Sequence, residues 1–337
     1  MSLDGPEGGA GTPAPPPAQH GEQQPPKRRW MLPALLFVLA FGIFSAFAAN
    51  RIVKPSTDPH FVYLANTFNT MIGAALGDDA AAHRRREKVA FELDREPPHS
   101  NDWASYWELE LRSGEVVRGM WLDKQGSGRF QLLGRDEAMV IGKDETRGTR
   151  RLKRHFVSFP PGPAVLMMPL AAVWDYRVND VVFTVFFAAL NVMLMFLLLT
   201  RLSRLGRSGR SSSENLWLTA LFGFGSVHLW CAVLGQVWFT ALIVGCTFAL
   251  AYMLCAIDAR RPLLAGCFLA MAFATRTPLV FTCVFFYAFL LFPGGKLRRA
   301  TGWAAPPQEA RSPPRRARSD RFPASCGRAP RRRSRRG

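Results

Sequence analysis

The chain has 337 residues, of which 48% are hydrophobic, and its formal net charge at pH 7 is +18. Its mean hydropathy is only +0.02 because polar residues collect at both ends and in one long loop, while apolar stretches fill the rest. This segregation excludes a single soluble domain and predicts a membrane protein. Of the 43 Lys and Arg, 14 lie at or after Lys296, in a segment that offers no predicted fold and has only two aromatic residues, so no nucleic-acid partner is expected.

The first part of the chain predicts a head and a membrane helix. Residues 1–29 are rich in Pro, Gly and Gln and are predicted to be a disordered cytoplasmic head. The apolar stretch over 30–50 is long enough for a first transmembrane helix, and the basic run at 27–29 predicts a cytoplasmic N-terminus. The alternative is a signal peptide cleaved near residues 46–48. Both interpretations put the following loop outside.

Residues 51–162 form that outer loop, which is too polar to cross a bilayer. Apolar and polar residues alternate on both sides of Ser113 and Gly114, a pattern typical of a β-hairpin. Similar alternation continues, so we predict a small strand-rich insert over about 103–145. The basic run at 84–86 is interpreted as a solvated helix face.

The region 163–295 predicts a membrane helix bundle. Its entry, residues 155–174, is interpreted as a juxtamembrane or re-entrant helix, because prolines shorten its apolar run. Asn179 and Asp180 are predicted to cap the next helix. Further spans are predicted over 181–200, 216–234 and 237–257, with two shorter apolar runs between 262 and 292. With arginine-rich links on the cytoplasmic side, the fold class is an all-α polytopic membrane protein of about six transmembrane helices with a strand-containing insert.

Residues 296–337 are dominated by Arg, Pro, Ala, Ser and Gly and are predicted to be a disordered basic tail. In one interpretation the tail binds anionic lipid head groups, since each basic residue near such a surface contributes about 1 kcal/mol. In the interpretation that we prefer, the tail is a frameshift product, because a high-GC coding sequence read out of frame becomes rich in arginine, proline and alanine.

Two ionisable residues near predicted membrane boundaries are candidates for chemistry. Asp58, between Lys54 and His60, follows the first helix on the outer side and could serve as a general base, or simply as a turn residue before a proline. Arg276 lies at a break between two apolar runs, where a guanidinium suits a phosphate group. The alternative for Arg276 is a side chain that snorkels to the membrane surface.

Other polar residues have simpler interpretations. Asn191, His228 and Gln236 lie in or beside spans and are predicted to hydrogen-bond neighbouring helices. Asp78 and Asp79 are adjacent carboxylates without a nearby ligand set, and solvent exposure is expected for them. Five of the six cysteines fall in apolar stretches without metal-type spacing. No resident cofactor is predicted, and a divalent metal stays open.

Several segments together resemble the GT-C membrane glycosyltransferases, close to the family 39 group of protein O-mannosyltransferases and bacterial aminoarabinose transferases. The resemblance covers about residues 27–295. In order, it rests on TDPHFVYLANTF after the first span, FVSFPPGPAVLMMPLAAVW, an RVND helix start with ALNV inside, GSVHLWCAVLGQVWFTA, and LLAGCFLAMAFATRTPLVF. The Pro-rich stretch and the A-T-R-T-P break are its most specific parts.

The resemblance implies an enzyme that transfers a hexosyl or pentosyl group from a polyprenyl-phosphate-linked donor to an acceptor at the outer face of the bacterial inner membrane. It implies Asp58 as the catalytic acidic residue, and Arg276, Lys54 and His60 as contacts to the donor phosphate. The family usually continues through several more spans, whereas apolar patterning here stops at Phe292, so a truncated, inactive form is a further expectation. A transporter and a non-catalytic membrane scaffold are the alternative functions.

Overall fold

The structure is a computed structural model that describes residues 28–85, 91–98, 103–123 and 128–291. The described residues belong to one compact unit that ends at Leu291. Nearly all of the predicted head, the end of the basic run at 84–86 and the whole predicted tail lie outside these ranges, so those predictions stay predictions.

Ten α-helices account for most of the described residues. In chain order they are α1 Arg28–Ala48, α2 His60–Ala75, α3 Asp79–Arg85, α4 Gly162–Trp174, α5 Asp180–Arg204, α6 Ser212–Phe224, α7 Val227–Leu234, α8 Val237–Ala256, α9 Pro262–Thr275 and α10 Val284–Leu291. A 3-10 helix, Thr277–Cys283, connects α9 to α10. The mostly helical architecture confirms the coarse fold prediction.

Three stretches of the described chain are helical, apolar and long enough to cross a membrane: Trp30–Val53, Asp180–Arg204 and Val237–Ala259. The pair α6 and α7 adds a fourth if it is one span, although the two helices meet at 51°. The remaining two predicted spans coincide with shorter apolar helices, Pro262–Thr275 and Thr277–Leu291. The count of six spans is therefore not confirmed, because α9 and α10 are shorter than the helices that are long enough to cross a membrane.

Helix α5 lies at the centre of the bundle, where small side chains such as Ala188 and Ala189 pack against α1 and α7. Asn191 on α5 donates to the carbonyl oxygen of Ile243 at 3.0 Å and accepts from the Thr247 hydroxyl at 2.6 Å. The Asn191 amide nitrogen also lies 3.3 Å from Nε2 of His228. These contacts confirm that Asn191 and His228 hydrogen-bond neighbouring helices, as predicted. Hydrogen bonds of this kind contribute about 0.6 kcal/mol each within membrane bundles.

Helix α2 is the main element that the sequence did not predict. Its first eight residues, 60–67, are buried, and the helix packs along α4, the helix interpreted as juxtamembrane or re-entrant. Asn69 donates from its side chain to the Met168 carbonyl oxygen at 3.0 Å, which ties the two helices together. The polar average of the 51–162 loop conceals α2, because its apolar face is covered by a partner distant in sequence.

The insert is a five-stranded antiparallel sheet with strand order β4-β3-β2-β1-β5. Its strands are β1 Ala104–Glu110, β2 Val116–Trp121, β3 Gly128–Leu132, β4 Ala138–Ile141 and β5 Arg151–Phe156. β1 and β2 form the hairpin predicted around Ser113 and Gly114, with Glu110 opposite Val116. The sheet extends past the predicted limit of about 145, because β5 returns to pair with β1 along Ala104–Leu109.

A charged network holds the segment 91–98 against this sheet. Glu92 is 2% exposed, accepts from the Tyr106 hydroxyl at 2.6 Å and lies 3.5 Å from Arg154. Arg154 also contacts Glu108, which pairs with Arg118 at 2.9 Å. Burial and the neighbouring Glu92 carboxylate raise the pKa of Tyr106, so the phenol stays a hydrogen-bond donor near neutral pH.

Acid is expected to destabilise the protein through His155 on β5. The side chain is 7% exposed, and burial, helped by the positive charge of Lys153, lowers its pKa from 6.5. The unfolded chain then binds more protons than the folded one below about pH 6.5, so stability falls as pH drops from there toward the lowered pKa. The measurement is the unfolding midpoint against pH. His155→Gln should reduce the dependence of the unfolding midpoint on pH, whereas the same substitution at exposed His83 should leave that dependence unchanged.

Candidate functional site

Asp58 lies at one end of the helix bundle, in a short irregular segment over 54–59 that joins the end of the first helix to α2. Its side chain is half-buried, and its Oδ2 accepts from the Thr57 hydroxyl at 2.9 Å. Its backbone N–H donates to the Ser56 hydroxyl at 3.3 Å. Lys54, in the same segment, is exposed. The carboxylate is thus held at the surface by its own neighbours.

Asp180, at the start of α5, fixes this segment in place. It is 3% exposed, and its carboxylate accepts from both the backbone N–H of Ser56, at 2.8 Å, and the Ser56 hydroxyl. Asn179 caps α5 as predicted, accepting from Val181 and Val182, and its amide donates to the Ile52 carbonyl oxygen at 2.8 Å. The sequence marked Asp180 only as a cap, because nothing in its neighbourhood signals a partner more than a hundred residues away.

The turn between α7 and α8 links the Asp58 segment to Arg276. Gly235 adopts φ 63°, a left-handed conformation that favours glycine, and a Cβ there would lie 2.6 Å from the Val181 Cα. Gln236 follows and donates from Nε2 to the Thr57 hydroxyl at 3.2 Å. This differs from its predicted partner, a neighbouring helix, because Gln236 immediately precedes α8 and its side chain contacts the Asp58 segment.

Arg276 lies between α9 and the following 3-10 helix, where the sequence predicted a break. Its Nη2 donates to the Trp238 carbonyl oxygen at 3.1 Å, and its Cζ lies 5.5 Å from the centroid of the Trp238 ring. Such a cation over an aromatic face is attracted by about 0.5–1 kcal/mol when exposed. Trp238 is two residues after Gln236, so neighbouring residues contact Arg276 directly and Asp58 through Thr57.

His60 has a different environment from the other predicted phosphate contacts. It is completely buried, and its ring stacks on Trp103 with centroids 3.7 Å apart. Its Nδ1 lies 3.1 Å from the Asp58 carbonyl oxygen, and its ring meets the edge of Phe159. Phe159 in turn packs against Trp238 at 4.6 Å. His60 therefore supports the Asp58 segment from beneath, at a depth where a surface phosphate does not reach it.

We call this surface the Asp58 end: Asp58, Lys54 and Arg276 with the Gly235–Trp238 turn. It presents a carboxylate able to accept a proton and two cations able to pair with an anion. Within the described residues, no group of three or more His, Cys, Asp or Glu side chains is arranged to hold a metal ion.

No protein family, curated protein or solved structure matches this chain. The resemblance to GT-C glycosyltransferases accordingly stays a prediction from the sequence.

Proposed function

We propose that the chain is a membrane glycosyltransferase that moves a sugar from a polyprenyl-phosphate donor to an acceptor at the outer face of the bacterial inner membrane. One observation supports this most strongly. Asp58 and Arg276, far apart in sequence, are connected at one end of an apolar helix bundle, through Thr57 to Gln236 and through Trp238 to Arg276. A base and a phosphate-binding cation beside lipid are what such a transfer needs.

In the proposed reaction Asp58 accepts the proton of the acceptor hydroxyl as its oxygen bonds to the anomeric carbon of the sugar. The bond between that carbon and the phosphate oxygen breaks, and the polyprenyl phosphate leaves with the electron pair. Thr57 donates to the Asp58 carboxylate and so restricts its orientation. A base positioned in this way contributes about 10²–10⁴-fold to a rate.

Arg276 would hold the donor phosphate and stabilise its charge as it leaves. A guanidinium presents several donors in a plane, which matches the oxygens of a phosphate better than an ammonium does. Trp238 beneath the guanidinium and the bond to the Trp238 carbonyl oxygen fix its position. Exposed Lys54 would add a second, mobile positive charge at the same end.

The proposed orientation has the N-terminus in the cytoplasm and the Asp58 end outside, in line with the predicted basic run before the first helix. A single-cysteine variant at Thr57 tests it, because Thr57 is exposed. Labelling of intact cells by a membrane-impermeant maleimide supports the orientation. Labelling only after the inner membrane is opened contradicts it.

The direct test uses the purified chain in vesicles with radiolabelled hexosyl and pentosyl polyprenyl phosphates. The proposal expects release of polyprenyl phosphate and label in an acceptor. A rival transporter would instead accumulate a solute in vesicles that contain no lipid-linked sugar, and that result would replace the proposal.

Arg276→Gln is expected to weaken donor binding by roughly 10- to 100-fold, because charge-assisted hydrogen bonds contribute about 1.5–3 kcal/mol each. The measurement is the Kd for the labelled donor, which does not require turnover. The control is Arg177→Gln, an exposed arginine just before α5 whose loss changes the net charge equally. Equal weakening in both variants would mean that Arg276 acts only through general charge.

A further inference from the structure

We propose a second binding surface at the opposite end of the bundle, which holds the phosphate head groups of anionic phospholipids. We call it the arginine end. It comprises Arg201, Arg204, Arg207, Arg210, Arg260 and Arg261. This inference does not depend on the proposed glycosyltransferase activity, because no residue of the Asp58 end takes part.

The arginine end forms where two helix connections meet. The first runs from the end of α5 to the start of α6, and the second from α8 to α9. Arg207 in the first donates to Asp258 in the second at 2.8 Å, and the Arg207 guanidinium lies 5.5 Å from the Phe289 ring centroid. Within the first connection, Asn215 donates to the Ser203 hydroxyl at 2.9 Å. The two connections are thus fixed side by side.

Most of the positive charge here is not neutralised. Asp258 is used by Arg207, and Glu214 accepts from Ser211 in the capping box of α6. Arg204, Arg260 and Arg261 are exposed, and none forms an ion pair with a carboxylate in the described part of the chain. These three guanidinium groups are available to an anion from outside the protein.

The charges at the Asp58 end are more nearly balanced. Around Asp58 the cations Arg51, Lys54, Arg177 and Arg276 are accompanied by Asp58, Asp175 and Asp180. The arginine end, by contrast, has six arginines, no lysine and two carboxylates, both already engaged. The excess charge is therefore a property of one end and not of the bundle as a whole.

Position and chemistry favour a lipid as the ligand. The exposed arginines directly follow or precede apolar helices of spanning length, α5 and α8, which places them at head-group depth if those helices cross a bilayer. Guanidinium groups pair with phosphate through two parallel hydrogen bonds. Each basic residue near an anionic membrane surface contributes about 1 kcal/mol. Single-stranded nucleic acid is bound through bases that stack on aromatic residues among the cations, and the two connections contain no aromatic residue.

The experiment compares lipid selectivity in vesicles of phosphatidylcholine that contain spin-labelled phosphatidylglycerol. The full chain is expected to prefer the anionic lipid, and added salt should reduce the preference by screening. The triple variant Arg204→Gln, Arg260→Gln, Arg261→Gln should lose most of this preference, since three contributions of about 1 kcal/mol correspond to roughly 100-fold. The matched control is Arg112→Gln, Arg135→Gln, Arg150→Gln, which removes three exposed arginines of the insert.

Both variants retain the predicted tail, so any lipid binding by the tail contributes equally to each. The proposal is supported if the triple variant loses the preference for the anionic lipid and the control variant keeps it. Equal loss in both variants, or a parent without preference, overturns it. If inorganic phosphate at the same ionic strength as chloride abolishes the preference when chloride does not, the ligand is a free anion, and the lipid assignment is wrong. Should the triple variant not fold, the single variants Arg204→Gln, Arg260→Gln and Arg261→Gln carry the same test. Each should lose about fivefold of the preference, since each contributes about 1 kcal/mol, and no loss in any of them overturns the proposal.

Discussion

Asp58→Asn is expected to lower the rate of sugar transfer by about 10²–10⁴-fold, the range for removing a general base. The substitution keeps the size of the side chain, and Oδ1 of an asparagine still accepts from the Thr57 hydroxyl that now contacts Asp58. The segment over 54–59 should therefore keep its conformation, held by Ser56 and Asp180. The chemical step is affected because an amide does not accept the proton of the acceptor hydroxyl.

Two measurements separate this expectation from a general loss of function. The Kd of Asp58→Asn for the labelled donor should stay within a few-fold of the parent value, because the proposed phosphate contacts come from Arg276 and Lys54. Asp175→Asn is the control, since Asp175 is exposed near the same end of the bundle. Full transfer activity in Asp58→Asn would show that the assigned base is wrong, whatever the control does.

The fold could be predicted from the sequence where the signal is local. The hairpin around Ser113 and Gly114 follows from alternation over neighbouring residues, and the cap at Asn179 from the residue type beside a long apolar run. The break before Arg276 follows from the polar residues that interrupt two apolar runs. Each of these features depends on residues within one or two turns of the chain.

The sequence did not predict elements whose stability depends on distant partners. α2 gains its buried face from α4, and β5 completes the sheet by pairing with β1. The six-span count came from apolar runs that alternate with basic links, and it included the two shorter runs that form α9 and α10; these helices are shorter than a crossing helix, so the count is not confirmed. Long-range pairing of this kind leaves no periodic signal in a single sequence.

The candidate site shows the same division. Asp58 and Arg276 were selected one at a time, as ionisable residues beside apolar stretches. Their connection through Gln236 and Trp238, and the anchoring of Ser56 by Asp180, depend on how the helix ends meet. The resemblance implies His60 as a phosphate contact, whereas in the structure its ring packs against Trp103 and Phe159.

Asp180→Ala is expected to lower the free energy of unfolding by about 3 kcal/mol. The carboxylate is 3% exposed and accepts two hydrogen bonds from Ser56, and bonds to a charged group contribute about 1.5–3 kcal/mol each. Their loss leaves the Ser56 N–H without its acceptor in a half-buried segment. Denaturant titration in micelles measures the change, and Asp175→Asn, which removes an exposed negative charge and keeps a residue type that tolerates positive φ, should cost less than about 0.5 kcal/mol.

The loss should be concentrated in the segment that carries Asp58, because Asp180 joins that segment to α5. Hydrogen exchange at the Ser56 amide should accelerate by at least about tenfold in Asp180→Ala, since 1.4 kcal/mol corresponds to a factor of ten, while amides in the sheet keep their rates. A double-mutant cycle with Ser56→Ala should give a coupling of about 0.5–3 kcal/mol. Additive effects of the two substitutions would mean that the Ser56 hydroxyl does not contribute to this anchoring. Unchanged exchange at the Ser56 amide in Asp180→Ala would mean that Asp180 stabilises α5 alone, and the Asp58 carboxylate would then owe its position to Thr57 and His60.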